Sequence, residues 1–191
     1  MCWLTYSVDT ELLLREVIDA TERISALVAA AKQYSQLDRA PYQRIYVHDG
    51  LDTILVMLAK KLGPGVWVVK GLRRFLPRIP TYPAELNQVW TNSSTNAVDV
   101  MANEGTLIIR TAVDDECVLV QIGDTAPGIP DESLQRLFEP FFSTKPVGQG
   151  SGLGLDVSWR VVVHRYHGDL RVESVPGDTG CQVRLPVTER S

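Results

Sequence analysis

The sequence predicts an α+β protein: a two-layer sandwich with helices on one face of a mixed, mostly antiparallel sheet, preceded by a long helix. Three observations predict it. Consecutive β-branched stretches over 106–122 and 169–186 alternate well enough to fold as antiparallel hairpins. Amphipathic stretches over 49–62, 84–102 and 154–167 have the helical period, and each must bury one apolar face against that sheet. Before Pro41 lies a helical stretch whose apolar residues repeat as heptads. With 191 residues, 45% hydrophobic and 22% charged, the chain has the composition of a globular protein and the size of one domain with an appendage, or of two small domains.

Taken in order, residues 9–35 are helix formers with Asp9 as N-cap, and Leu13, Val17, Ala20, Ile24, Leu27, Ala31 and Tyr34 alternate spacings of four and three. A seam this narrow calls for helical partners, from this chain or a second copy; the plainer alternative is a helix packed on its own domain. Pro41 breaks the helix. The reading divides the chain into a helical dimerisation segment, 1–37, and a domain, 38–191. Within the domain, 43–47 reads as extended and 49–62 as a helix stopped by Gly63-Pro64-Gly65. Residues 66–70 read as a strand, and 71–83, with three prolines, as a loop. A helix over 84–102 precedes strands 106–113 and 116–122, joined at Asp114-Asp115. A turn-rich loop over 123–130 leads to a short helix, 131–137, and then to a helix over 154–167 with Gly168 at its C′ position. Strands 169–175 and 181–186 close the chain.

Composition excludes several functions. A net charge of −4 offers no field for nucleic acid, so any phosphate binding is local. No apolar run approaches the roughly 18–20 residues a membrane span requires, and the N-terminus turns acidic too early for a secretion signal. A cytoplasmic location follows by default. Cys2, Cys117 and Cys181 are odd in number and far apart, without metal-ligand spacing, and read as reduced packing cysteines.

Three features carry chemistry. In 138–155, an aromatic pair and Ser143-Thr144-Lys145 are followed by Gly148, Gly150, Gly152 and Gly154 at every second position, running straight into a helix. Glycine lets a ligand approach the main chain, and unpaired N–H groups at a helix start suit a phosphate chain; a flexible surface loop is the alternative. Asn92 and Asn96, four apart, share one helix face where two amides reach a ligand together. Asp124, at a strand end and followed by Pro127 and Gly128, can accept a hydrogen bond from an exocyclic amine such as that of adenine, or simply form a turn.

In their order, ELNQVWTNSSTNAVDVM, DTAPGIP, LFEPFFSTK and GQGSGLGL resemble the N, G1, F and G2 boxes of bacterial sensor histidine kinases. These belong to the ATPase superfamily shared with gyrase, the heat-shock chaperone ATPase and mismatch-repair ATPases. The resemblance spans roughly residues 41–186 and implies the Bergerat fold, holding Mg–ATP between helices and a mobile lid. It implies that Asn96 is the Mg²⁺ ligand and that Asp124 reads adenine with Gly128 beside it. Phe141, Phe142, Thr144 and Lys145 would form the lid, with Gly148, Gly150, Ser151, Gly152, Leu153 and Gly154 at the phosphates. Asn92 sits where hydrolysing relatives carry a glutamate base; an amide cannot take a proton from water, which favours transfer over hydrolysis.

The chain also departs from the pattern. The heptad segment resembles the second helix of the dimerisation and phosphoacceptor hairpin, and the reading expects the first helix, with its phosphoacceptor histidine, to be missing; His48-Asp49 mimics that dipeptide inside the ATP domain, and His164 and His167 stand at a helix end. Alanine at 126 replaces the usual glycine, with strain expected if φ is positive. Ser93 and Ser94 replace apolar residues, and a hydroxyl buried without a partner costs roughly 1–3 kcal/mol. The reading is therefore a histidine kinase catalytic domain with ATP and Mg²⁺ as cofactors. It would phosphorylate a histidine on another chain, partner a histidine-bearing kinase chain or response regulator, and form a homodimer through the N-terminal helix. The alternative is a degenerate, non-catalytic nucleotide-binding or dimerisation module; an anti-sigma-factor serine kinase and an independent hydrolase fit less well.

Overall fold

In a computed structural model, residues 42–59, 61–146 and 150–188 are described, together with Leu14, Val17, Ile18 and Thr21. Those four are helical and exposed; the rest of the heptad segment, the proposed boundary at 37/38 and Gly148 lie outside the described residues.

The elements are β1 (Gln43–Ile45), α1 (Val47–Leu58), β2 (Gly65–Gly71), β3 (Ile79–Thr81), α2 (Pro83–Val100), β4 (Glu104–Asp114), β5 (Cys117–Asp124), α3 (Asp131–Leu134), α4 (Gly154–Trp159, continued by a π-helical turn Arg160–Arg165), β6 (Asp169–Val175) and β7 (Asp178–Pro186). The main sheet has the order β2-β4-β5-β7-β6; β2 is parallel to β4 and every other pair is antiparallel. A two-stranded sheet, β1-β3, stands apart, with Arg44 opposite Pro80.

Alternation along the strands determines what faces the helices. Leu107, Ile109 and Thr111 of β4, Val118, Val120, Ile122 and Asp124 of β5, and Thr179, Cys181, Val183 and Leu185 of β7 are all buried, at every second position. Asp124 is thus the last member of an otherwise apolar row and is carried into the layer between sheet and helices. Register sets Ile122 opposite Cys181 and Asp124 opposite Thr179. From the other layer, α1 buries Val47, Leu51, Ile54, Leu55 and Leu58, and α2 buries Leu86, Val89, Trp90, Ser93, Ser94, Ala97 and Val98. Each large apolar side chain buried this way stabilises the domain by about 1.5–3 kcal/mol. Proline at the first helical position starts α2, where no N–H partner is needed.

Several local expectations are corrected. The loop predicted over 71–83 contains β3: Pro80 lacks an N–H, but a strand in a two-stranded sheet tolerates this at an unpaired edge. Helix α1 starts two residues earlier than its predicted Asp49 and stops at Leu58. The helix predicted over 154–167 changes winding midway, and Tyr166 N–H donates to Val161 O at 3.2 Å, a five-residue step. Its left-handed C-terminal residue is His167, φ 52°, and Gly168 follows it, donating to Val162 O at 2.9 Å. Beside this turn, buried Glu85 pairs with Arg165 at 2.7 Å and accepts from the Tyr166 hydroxyl at 2.5 Å; that hydroxyl accepts the Tyr82 N–H at 2.9 Å. Burial, with Glu85 alongside, pushes the Tyr166 phenol above its ordinary range.

Candidate nucleotide-binding site

Helix α2 presents two neighbouring stripes. Ser93, Ala97 and Val100 lean towards the sheet, whereas Asn92, Asn96 and Asp99 face α4 and residues 142–145 and 150–152. Between the first stripe and β5, β6 and β7 lies a cavity of about 80 Å³, floored by Ile122, Asp124, Val172, Thr179 and Cys181 and closed by Ala126, Gly128, Ile129, Leu137 and Leu155. The second stripe lines a larger cavity of about 440 Å³, shared with Phe142, Ser143, Thr144, Lys145, Gly150, Ser151, Gly152 and Gly154. Asn96, Val100, Ile129, Leu137 and Leu155 line both, so the two form one groove with an apolar end and a polar end.

At the apolar end Asp124 is 4% exposed. Its Oδ1 accepts the Ala126 N–H at 3.0 Å. Burial raises the carboxyl above its ordinary range; the Ala126 N–H works against this, and the negative charge of Asp178 adds to it. The following loop is stitched to the β6–β7 hairpin: Gly177 N–H donates to Ala126 O at 2.9 Å, and Ile129 N–H to Ser174 Oγ at 2.8 Å. Gly128 has φ 96°, and a side chain there would press on the Val175–Pro176 backbone at 3.1–3.2 Å. The strain anticipated at Ala126 is not found, because Ala126 is not among the residues with positive φ. Ser93 is also accommodated: its Oγ lies 3.6 Å from Cys181 Sγ, a thiol that burial pushes up to about 11. Ser94, 1% exposed, keeps an Oγ without a hydrogen-bond partner among the described residues.

At the polar end Asn92 Nδ2 donates to Gly154 O at 2.8 Å and to Ser158 Oγ at 3.1 Å, fastening α2 to the first turn of α4. Lys145 Nζ donates to Asn96 Oδ1 at 3.2 Å and to Asp99 Oδ2 at 2.6 Å. Gly152, φ 64°, accepts the Phe141 N–H at 3.0 Å and lies flat against the Phe141 backbone. Phe142 stacks under Arg136, the guanidinium carbon 4.4 Å from the ring centre. Of the residues anticipated from sequence, Asn92, Asn96, Asp124, Gly128, Phe142, Thr144, Lys145, Gly150, Ser151, Gly152 and Gly154 converge on the groove. Phe141 points to solvent, 53% exposed, and Leu153 is buried; neither is among the lining residues. Asp99 and Lys61 line the groove without having been anticipated. The spacing of three from Asn96 is a signal that would have found Asp99; nothing in the sequence marks Lys61.

A groove between a helix pair and a sheet, with a buried carboxylate at one end and a glycine-rich helix start at the other, suits a purine nucleotide. Residues 81–189, more than half of the chain, match the profile of the histidine kinase-, DNA gyrase B-, and HSP90-like ATPases. The chain belongs to this family. Among curated relatives, the sensory histidine kinase/phosphatase NtrB of Rhodobacter capsulatus is 28% identical over 187 residues, covering 91% of this chain and 52% of that protein. Sporulation kinase E of Bacillus subtilis is 29% identical over 186 residues, covering 96% of this chain and 25% of that protein. The chain thus spans about half, or less, of the length of these relatives. Among solved structures, the catalytic domain of histidine kinase ThkA superposes with a TM-score of 0.71 at 21% identity, covering 78% of this chain and 97% of that one. Full-length ShkA, solved with AMPPNP, gives 0.73 at 21% identity, covering 94% of this chain and 38% of that one. These likenesses establish the ATPase-family fold, with its mixed five-stranded sheet. No helix among the described residues is long and apolar enough to cross a membrane.

Proposed function

We propose that the chain is the ATP-binding catalytic domain of a two-component sensor histidine kinase, transferring the γ-phosphate of ATP to a histidine on another chain. The observation that carries this reading is the single groove running from Asp124 to the glycine-rich start of α4, with Asn96 common to both of its ends. Asp124 accepts from the adenine amine while Gly128 and Ala126 let the base lie against the chain. Residues 142–145 and 150–152 lie along the phosphates, with Lys145, Thr144 and Ser151 supplying a cation and hydroxyls.

The residues present fit Mg²⁺. Asn96 Oδ1 faces the polar cavity and already takes the ammonium of Lys145, so a cation is favoured at that oxygen. Asn96 would hold the ion, which when bound neutralises charge along the phosphates. Asn92 supports transfer over hydrolysis: its amide has no basic nitrogen, and its Nδ2 is committed to Gly154 and Ser158.

The three histidines of the sequence support an acceptor elsewhere. His48 shares a hydrogen bond with Thr111 Oγ1 at 3.0 Å, His164 packs edge-on against Trp159 with centroids 4.7 Å apart, and His167 occupies the left-handed turn after α4. None lines the groove. The partners of this reading are a histidine-bearing kinase chain and a response regulator, with the heptad helix joining two copies and the whole in the cytoplasm. ThkA, a structural neighbour with a TM-score of 0.70 at 19% identity, has been solved with the response regulator TrrA. With Ala126 unstrained and Ser93 partnered, the feature that favours the degenerate module is the Ser94 hydroxyl, which lacks a hydrogen-bond partner among the described residues.

Incubation with γ-labelled ATP tests the reading. The chain alone stays unlabelled, and label appears on a histidine-bearing kinase hairpin added in trans. Stable label on this chain alone would show that the acceptor is one of its own residues and contradict the reading.

A further inference from the structure

Lys61, in the turn after α1, lies outside the motifs that mark the groove, and Asp99, three residues beyond Asn96 on α2, lies within the first of them but was given no role there. Both line its polar end together with Lys145. Asp99 joins the two lysines: Oδ1 contacts Lys61 Nζ directly, and Oδ2 lies 2.6 Å from Lys145 Nζ. The two cations come from segments far apart in sequence, Lys61 from the turn after α1 and Lys145 from the stretch before the glycines. An aspartate alone at this position would repel a polyphosphate. Two ammonium groups and one carboxylate leave the trio at a net charge of +1, facing the cavity. Pairing also restricts the lysine rotamers before a ligand arrives, which lowers the ordering entropy lost on binding.

We propose that Lys61 is a polyphosphate-binding residue of this site and that Asp99 is the positioning residue that holds it, with Lys145, over the groove. The pair forms a two-lysine clamp for nucleoside di- and triphosphates. This rests on the nucleotide reading above. Affinity then rises with the number of phosphates, and Lys61 contributes only when phosphates are present.

The test is calorimetric titration of the full chain with ATP, ADP and adenosine. Lys61 is half-exposed and its only described ion pair is with Asp99, so Lys61→Gln keeps the fold, as thermal melting verifies. The expected result is an ATP affinity lowered roughly tenfold, with adenosine unchanged and Lys61→Arg retaining most of the ATP affinity. In an Asp99→Asn background the further loss caused by Lys61→Gln shrinks, because Lys61 is no longer held. Wild-type ATP affinity in Lys61→Gln, or a parallel loss of adenosine, overturns the role of Lys61. An equal loss in both backgrounds overturns the role of Asp99. A wild-type chain that binds neither adenosine nor ATP removes the nucleotide reading itself, and the clamp with it.

Discussion

Replacing single glycines by alanine in the loop before α4 separates positions that look equivalent in sequence. At Gly152 the backbone is left-handed, φ 64°, and an added Cβ would stand 2.6 Å from the Phe141 carbonyl oxygen and closer still to its carbonyl carbon. The left-handed conformation alone costs an alanine about 1–2 kcal/mol, and relief of the backbone overlap requires the turn at Phe141 to move. A combined cost of at least about 2 kcal/mol, relieved by displacing the loop that covers the phosphates, corresponds to a loss of roughly thirtyfold in ATP affinity. At Gly150 the Cβ would instead meet Ser143 Oγ at 2.6 Å and Lys145 Cδ at 3.2 Å, side-chain atoms that yield at the cost of the Lys145 N–H to Ser143 Oγ bond rather than of a backbone shift. At Gly154 the nearest atom is Asn92 Cγ at 3.4 Å, an ordinary contact at a helix start. Isothermal titration of the three variants with Mg–ATP should therefore rank Gly152→Ala far below Gly150→Ala, with Gly154→Ala the mildest. Equal affinities for all three, or wild-type affinity in Gly152→Ala, would refute the steric argument.

Other consequences follow from buried polar groups. Asp124→Asn exchanges half of the carboxylate for a donor facing the adenine amine, and should lower ATP affinity roughly tenfold or more while leaving the melting temperature equal or higher. The stability sign follows from its raised folded-state carboxyl: the ionised form is the disfavoured one, so its cost is present above the folded value and is relieved as pH falls through it. For the same reason ATP affinity should begin to fall, on acidification, at a higher pH than an ordinary aspartate would dictate, and the fall should vanish in Asp124→Asn titrated by the same method. Ser94→Ala removes an unpaired buried hydroxyl and improves helix propensity, and should raise stability by about 1 kcal/mol in urea denaturation. Tyr166→Phe removes the hydroxyl that accepts the Tyr82 N–H and donates to Glu85, and should cost about 2 kcal/mol by the same assay, with no effect on ATP affinity.

Much of this was legible in the sequence because the relevant signals are local. Strand alternation ending in Asp124, the spacing of four between Asn92 and Asn96, and the glycine run before α4 each specify a geometry within a few residues. The features that were not legible depend on distant partners. Pro80 masked β3, whose strand state is set by pairing with β1 some 35 residues earlier. The parallel placement of β2 beside β4 follows from the α2 crossover, not from either strand's composition. Lys61 meets Asp99 in the groove, and Arg165 and Tyr166 meet Glu85 outside it, each across a long stretch of sequence. Alanine at 126 looked strained because glycine's conformational freedom was taken as required there; the backbone has no such requirement at that residue, while Gly128, two positions on, does.

The central claim is that the groove holds an adenine nucleotide, and titration of the chain with Mg–ATP against Mg–GTP tests it most directly. Asp124 is an acceptor where adenine carries an amine and guanine a carbonyl, so the account predicts saturable binding of ATP at one site, and GTP weaker by tenfold or more by roughly the measure of one lost charged hydrogen bond. No heat of binding up to millimolar Mg–ATP, or equal affinity for the two nucleotides, would contradict it.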